Sequence, residues 1–181
     1  MQILGGYAVL RANQVFGVPR EVIVLKWPND IFLLEEDNLG KVAGVLLEGT
    51  SKGKVGKVVM GIGINFQLAK QRNPSYPVAD LSRWWAKSKA AKYRKILHAM
   101  IASFFEKREG IKSTNYLDLI PSLEREIIDG VTHLGAPIYR NYAWSVDGLT
   151  KKGNLRLINE QRQTVIIEDG EDLEWSNLGT I

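Results

Sequence analysis

Three short blocks between residues 26 and 65 decide the fold: KWPND at 26–30, KVAGVLLE at 41–48 and GIGIN at 61–65. Apolar and β-branched residues surround the blocks and polar turns separate them, which is typical of strands and their ends. Turns this short between consecutive strands favour an antiparallel meander. We therefore predict four strands, over 21–27, 31–34, 42–48 and 57–65.

The first block predicts a corner that displays polar groups. Pro28 has no N–H and interrupts strand pairing, so Asn29 and Asp30 are held at the end of a strand. A carboxylate and an amide in this place suit a metal, a ribose or an amine. An Asx turn, in which these side chains bond to their own backbone, explains the same residues, and the block alone favours that simpler interpretation.

The second block places a lysine at the mouth of an almost wholly apolar strand. Lys41 there is suited to hold a phosphate or a carboxylate as a point charge. The alternative is an ordinary lysine that protects a sheet edge. Gly44, inside the same strand, indicates a bulge or a place where a ligand comes close to the backbone.

The third block alternates large apolar residues with glycine. Side chains at 58, 60, 62 and 64 share one face of the strand, and positions 59, 61, 63 and 65 share the other. The face of Gly61 and Gly63 is thus a shallow groove that ends in the amide of Asn65. A flat apolar ligand or a closely packed helix explains this groove equally well. No helix follows the two glycines, which excludes a dinucleotide-binding fingerprint.

Helical and short-strand patterns surround the blocks. Apolar periodicity predicts helices over 2–16, 92–107 and 113–128, with a long loop over 67–89. Beyond Asp129-Gly130 the pattern changes to short strands separated by Asp-Gly and Lys-Gly turns, which favours a small, strongly bent β-barrel. We therefore divide the chain into residues 1–128 and a small domain of residues 129–181.

Composition excludes several classes of protein. The 181 residues are 45% hydrophobic and 24% charged, as in ordinary globular proteins. The chain has no cysteine, which excludes disulfides, thiolate metal sites and a cysteine nucleophile. No apolar run reaches the length of a membrane span, and no basic segment precedes an apolar stretch at the N-terminus. We expect a cytoplasmic protein without a membrane partner.

The net charge of +4 comes largely from one stretch, since residues 70–95 hold eight basic residues and a single acid, Asp80. Such a stretch attracts acidic partners, and it gives one hypothesis: a nucleic-acid-binding small barrel. The barrel segment itself is net acidic, and the basic residues follow no periodic face. A solvated surface explains them better.

In this order and spacing, the three blocks resemble the biotin–protein ligase family, and the Trp before Pro-Asn-Asp favours biotin ligases over the related lipoate ligases. The resemblance implies an α+β fold: a mixed or antiparallel sheet with helices, as in class II synthetase-like catalytic domains, followed by an SH3-like β-barrel. It also implies the activity. Biotin and ATP, with Mg²⁺, give biotinyl-AMP, and a lysine of a biotin carboxyl-carrier protein then takes the biotin.

The resemblance assigns a role to each matching residue. Lys41 corresponds to the lysine that holds the biotin carboxylate and the α-phosphate, and Asp30 to an acid near the metal or the incoming lysine. Asn65 corresponds to an amide near the nucleotide and the metal, with Asn29 as a second nucleotide contact that more directly shapes the corner. The implied lining of the biotin pocket comprises Gly44, Leu46, Gly61 and Ile64.

The family pattern also includes an upstream loop rich in glycine and arginine. Here only 25 residues precede Lys26, and no arginine stands next to a glycine. We expect either a chain that is truncated within the catalytic domain or a non-catalytic homologue that acts as a binding or assembly module. A truncated chain should leave a raw sheet edge and an exposed apolar face along helix 2–16, and in the non-catalytic homologue a partner chain or a second copy would cover that face. No winged helix precedes the blocks, so DNA is not an expected partner.

Overall fold

A four-stranded antiparallel sheet forms the centre of the fold. The structure is a computed structural model that describes residues 2–35, 38–52, 55–68, 77–109 and 114–178. The strands follow each other as hairpins in sheet order, so the predicted meander is confirmed. Their bounds are β1 Ile23–Lys26, β2 Asp30–Glu35, β3 Asn38–Lys52 and β4 Val55–Ile64.

The register of the sheet places one residue of each strand in a single row. Lys26 pairs with Asp30, Asp30 with Gly44, and Gly44 with Gly63. Between β2 and β3 the register shifts, because Ile31 and Phe32 face Ala43 and Lys41 and leave Val42 as an extra residue. This β-bulge lies two residues from Gly44, the position at which the sequence suggested one.

One face of the sheet, called here the inner face, is covered by the helix α1, Gln2–Val15, as predicted over 2–16. The helix lies very close to the strands because it carries glycines at the contact. A Cβ on Gly5 would stand 2.8 Å from Cγ1 of Val45, and one on Gly6 would stand 2.9 Å from Cδ1 of Leu25. Most of α1 is buried, so its glycines serve packing rather than helix propensity.

Two longer helices follow the sheet: α2, Ala90–Glu109, and α3, Thr114–Leu134. Between α1 and α2 lies an aromatic cluster in which the Trp85 ring is 4.2 Å from Phe16 and 4.7 Å from Tyr93. The predicted end of the third helix at residue 128 is wrong, because α3 continues through Asp129-Gly130. The glycine is a packing residue: a Cβ on Gly130 would stand 2.9 Å from Val24 Cγ1.

The C-terminal strands form two three-stranded antiparallel sheets, in the orders β10–β5–β6 and β7–β8–β9. The closed SH3-like barrel that we expected is not found in the described residues. The bounds are β5 Pro137–Tyr139, β6 Tyr142–Ala143, β7 Ser145–Leu149, β8 Leu155–Ile158, β9 Thr164–Ile167 and β10 Glu174–Trp175.

The fold is therefore mixed α+β with antiparallel sheets, as the sequence indicated. The division at residue 128 stays a prediction, and α3 crosses it. Part of the basic stretch and of the predicted loop, residues 69–76, lies outside the described residues. Within the described ranges, no helix is both long and apolar enough to cross a membrane.

Candidate functional site

The face of the central sheet opposite α1, called here the outer face, brings Asp30 and Lys41 together. Nζ of Lys41 lies 2.8 Å from Oδ2 of Asp30, with the side chains 28% and 17% exposed, respectively. The pair is thus partly withdrawn from water while one side stays accessible. An ion pair in such a place interacts more strongly than one on an open surface.

The bulge in β3 decides on which face Lys41 lies. Alternation counted back from Gly44 would direct residue 41 to the inner face, since it is three positions away. The extra residue Val42 reverses that alternation, and Lys41 consequently reaches Asp30 on the outer face. The alternative role as an edge-strand lysine is wrong, because Lys41 pairs with Phe32 of β2 on one side and bridges to Val78 on the other.

Glycines form the floor beside the ion pair. A Cβ on Gly44 would stand 3.0 Å from Oδ1 of Asp30 and 3.1 Å from Cε of Lys41, so the two side chains lie directly over this residue. Among the described residues, a Cβ on Gly63 of β4 would meet no atom within 4 Å, and one on Gly61 would meet Leu46 O at 3.9 Å. No described helix packs closely on these two glycines, which favours the open groove over the alternative of a closely packed helix.

Apolar side chains occur on this open groove as well. Leu46 pairs with Gly61 across β3 and β4 and is 58% exposed, although its neighbour Val45 is only 2% exposed on the inner face. Ile64 is placed differently from the other predicted biotin residues, because it pairs with the buried Ala43 and packs against the core. Only its backbone borders the groove.

Asn29 fastens the corner to the neighbouring strand. Its Nδ2 donates to Val45 O at 2.7 Å, and its own carbonyl accepts a hydrogen bond from Val45 N at 3.1 Å. Both bonds are made within the chain, which supports the role of Asn29 in shaping the corner. Its contact with a nucleotide stays a prediction.

Asn65 joins the end of β4 to the residues around Lys41. Its Nδ2 donates to Lys41 O and Ala79 O, both at 3.2 Å, and its backbone N–H donates to Val42 O at 2.9 Å. With Nδ2 directed at these two carbonyls, the carboxamide oxygen points away from them. That oxygen is the atom with which an asparagine binds a cation.

Lys26 is a charged group of the site that sequence reasoning missed. It stands opposite Asp30 in the β1–β2 hairpin. Burial lowers the pKa of Lys26, the Asp30 carboxylate opposes this shift, and the charge of Lys41 lowers the pKa further. The predicted strands, 21–27 and 31–34, left residues 28–30 as the turn, so the observed turn at 27–29 and its pairing of Lys26 with Asp30 were not anticipated.

The assembled groups suit the binding of an anion next to a flat apolar molecule. Two lysines supply positive charge, one carboxylate holds Lys41, and a glycine floor leaves room above the sheet. A three-ligand metal cluster of His, Cys, Asp or Glu is not present among the described residues. One carboxylate and one amide oxygen nevertheless suit Mg²⁺ that arrives with phosphates, since such Mg²⁺ keeps few protein ligands.

Comparisons with known proteins find relatives of the part of the chain that carries these residues. Residues 4–65, which contain all the predicted site residues, match the model of the Biotin/lipoate A/B protein ligase family. A biotin–[acetyl-CoA-carboxylase] ligase from Paracoccus denitrificans is 48% identical over 62 residues. That match covers 34% of this chain and 24% of the relative, so it spans about a quarter of that enzyme.

Solved structures extend the likeness to nearly the whole chain. The apo biotin protein ligase from Aquifex aeolicus has a TM-score of 0.68 at 21% identity, with 97% of this chain and 74% of that chain covered. The same ligase in complex with biotin and ATP gives 0.66 at 21% identity, with 97% and 70% covered. At this identity the likeness shows the fold.

Proposed function

We propose that this chain, whose residues 4–65 match the model of the Biotin/lipoate A/B protein ligase family, attaches biotin to a lysine of a biotin carboxyl-carrier protein. The observation that carries the proposal is the Lys41–Asp30 pair at 2.8 Å, which lies over the open glycine floor of the outer face. A cationic group beside an open surface that admits a ring system suits the activation of biotin, because its carboxylate must be brought to a phosphate.

The proposed reaction has two steps. An oxygen of the biotin carboxylate attacks the α-phosphorus of ATP, the bond to the β-phosphate oxygen breaks, and biotinyl-AMP and pyrophosphate result. The amine of the carrier lysine then attacks the biotinyl carbonyl carbon, loses a proton and forms an amide, while AMP leaves with the electron pair of the broken C–O bond.

Lys41 serves the first step through its charge. Two anions, the carboxylate and the α-phosphate, must approach each other in the first step, and the ammonium group offsets their repulsion. Asp30 holds this ammonium in place during the first step. In the second step it is suited to receive the amine of the carrier lysine, because it is the carboxylate nearest to Lys41.

Biotin lies, in this proposal, along the groove of the outer face. Gly44 and Gly61 let the ring system approach the backbone, and Leu46 covers it from one side. Ile64 contributes its backbone, since its side chain packs inward.

The nucleotide lies at the end of β4, next to Asn65 and the corner of Asn29. Asp30 and the carboxamide oxygen of Asn65 would hold Mg²⁺ together with phosphate oxygens. When bound, Mg²⁺ neutralises phosphate charge.

The finer proposals are a small C-terminal domain after residue 128, self-association through the sheet edge, and action in the cytoplasm, where ATP and the carrier are available.

The test is direct synthesis of the adenylate. The purified chain is incubated with biotin, MgATP and a carrier domain, and biotinyl-AMP and labelled carrier are measured. We expect both products, and we expect Lys41→Ala to lower adenylate formation at least a hundredfold, about 2.7 kcal/mol of transition-state stabilisation. Lys57→Ala is the matched control, because Lys57 is an exposed lysine on the same sheet.

Two results would overturn the proposal. Biotin binding without any adenylate would favour a non-catalytic module that binds biotin. Normal activity of Lys41→Ala would remove the role assigned to this lysine.

A further inference from the structure

The C-terminal part of the chain contacts the corner at residues 27–29 in two places. The indole Nε1 of Trp27 donates to Gly153 O at 2.9 Å, across 126 residues of sequence, and Trp27 is only 2% exposed. Gly170 lies on Pro28, since a Cβ on Gly170 would stand 2.5 Å from Pro28 Cδ. Two adjacent corner residues are thus fixed by one distant region.

The two contact points are themselves held in place. Gly153 has a φ of +87°, which glycine adopts readily, and its N–H donates to Thr150 O at 2.8 Å. Gly170 follows Asp169, whose side chain accepts a hydrogen bond from Glu171 N at 3.0 Å. The turns that meet the corner are therefore ordered by their own hydrogen bonds.

The corner passes this constraint directly to the ion pair. Asn29 follows Pro28 and is bonded twice to Val45, and Asp30 is the next residue. Any displacement of the corner consequently moves the Asp30 carboxylate relative to Lys41. Displacements of about 1 Å at a reacting centre are enough to change rates substantially.

We infer that the C-terminal sheets position the Asp30–Lys41 pair, with Trp27 and Gly170 as the positioning residues. The inference rests on the proposed function, because the pair acts on substrate only there. It goes beyond that function in one respect: residues that touch neither biotin nor nucleotide set the rate of adenylate formation.

The experiment compares two corner variants with matched controls. Gly170→Ala introduces a methyl group where Pro28 lies, and Gly49→Ala is its control, because there a Cβ meets only Lys57 O at 3.9 Å. Trp27→Phe removes the indole donor, and Trp144→Phe is its control, because that indole donates to Tyr139 O, away from the corner. We expect both corner variants to lower kcat for adenylate at least tenfold, with KM for biotin changed less than threefold. Both controls stay within twofold of wild type.

A second readout does not depend on catalysis. The amide of Val45 donates to Asn29 O, so its hydrogen exchange reports the attachment of the corner. We expect faster exchange of Val45 in both corner variants and unchanged exchange in both controls. If wild type makes no adenylate, the proposed function fails, and the exchange measurement still decides on the contact itself.

A lower kcat that comes from reduced stability of the fold has to be distinguished from one that comes from displacement of the Asp30–Lys41 pair. Leu157→Val removes a methylene group from the buried core of the C-terminal sheets without touching the corner. If this variant lowers kcat as much as Trp27→Phe at an equal loss of Tm, the inference is overturned. It is equally overturned if Trp27→Phe keeps wild-type kcat and wild-type exchange at Val45.

Discussion

The two faces of the central sheet differ in what glycine does. On the inner face, Gly5 and Gly6 belong to the helix and let it approach the strands until side chains fill all the space. On the outer face, Gly61 and Gly63 belong to a strand and leave the space above it open. The same residue type therefore marks close packing on one side and a binding surface on the other, and only the neighbouring atoms distinguish the two.

The largest effect is expected from truncation on the inner face. Ile31 follows Asp30 directly but points inward and is 0% exposed. Ile31→Ala should lower the free energy of unfolding by about 2–5 kcal/mol, because it leaves a cavity under α1. Urea unfolding measures this change. A loss of less than 1 kcal/mol would show that the inner face is not the tightly packed one.

Filling the outer face should affect binding but not folding. Gly63→Val adds a side chain where a Cβ meets no atom within 4 Å, so the strand accepts it without strain. We expect stability to fall by less than about 0.5 kcal/mol and biotin affinity, measured by calorimetry, to fall at least tenfold. Gly49→Val, outside the groove, should leave affinity unchanged. Unaltered affinity in Gly63→Val would place biotin elsewhere.

Leu46 and Val45 are consecutive residues on opposite faces of β3, and Leu46 is 58% exposed whereas Val45 is 2% exposed. Leu46→Ala should change the free energy of unfolding by less than about 0.5 kcal/mol, since the side chain is exposed. It should weaken biotin binding by roughly three- to tenfold, because apolar contact with the ring system is lost. Val58→Ala, also exposed, is the control that should alter neither quantity. A stability loss in Leu46→Ala above 1 kcal/mol would contradict the open face.

The smallest effect concerns Lys26. The pKa of Lys26 in the folded chain is lowered below its usual value of 10.5. At a pH between this lowered pKa and 10.5, the unfolded chain therefore binds more protons than the folded chain. Stability should therefore rise with pH through this window. We expect the unfolding free energy of wild type to gain on that of Lys26→Gln as pH increases from 7 towards 10.5. A constant or shrinking difference would contradict the burial of this charge.

Local pattern was sufficient to predict the meander and the helix α1, whereas the roles of the site residues came from the family resemblance and stay predictions. Asp30, Gly44 and Gly61 lie on one face because hairpins preserve the two-residue period over such short distances. Lys41 was identified as a candidate, but its face depends on the bulge at Val42. Gly44 indicated a bulge in this strand, but residue types do not give its position at Val42, which is visible only in the pairing with β2 and the bridge of Lys41 to Val78.

Distant contacts explain what the sequence could not indicate. Asp129-Gly130 has the composition of a helix end, but Gly130 is required for contact with Val24, and α3 continues. The bond between Trp27 and Gly153 joins residues that no periodicity relates. Short strands after residue 136 suggested a closed barrel, but the described strands form two separate three-stranded sheets. Which strands pair with each other depends on contacts between distant residues, and residue types do not show these contacts.

The glycines of α1 also determine the order in which the molecule assembles. Each glycine costs a helix about 1 kcal/mol relative to alanine, so this segment is a poor helix when alone. Its close contacts include Met60, which is synthesised 55 positions after Gly5. We therefore expect this segment to gain stable helical structure during translation only after the strands that it packs against have left the ribosome.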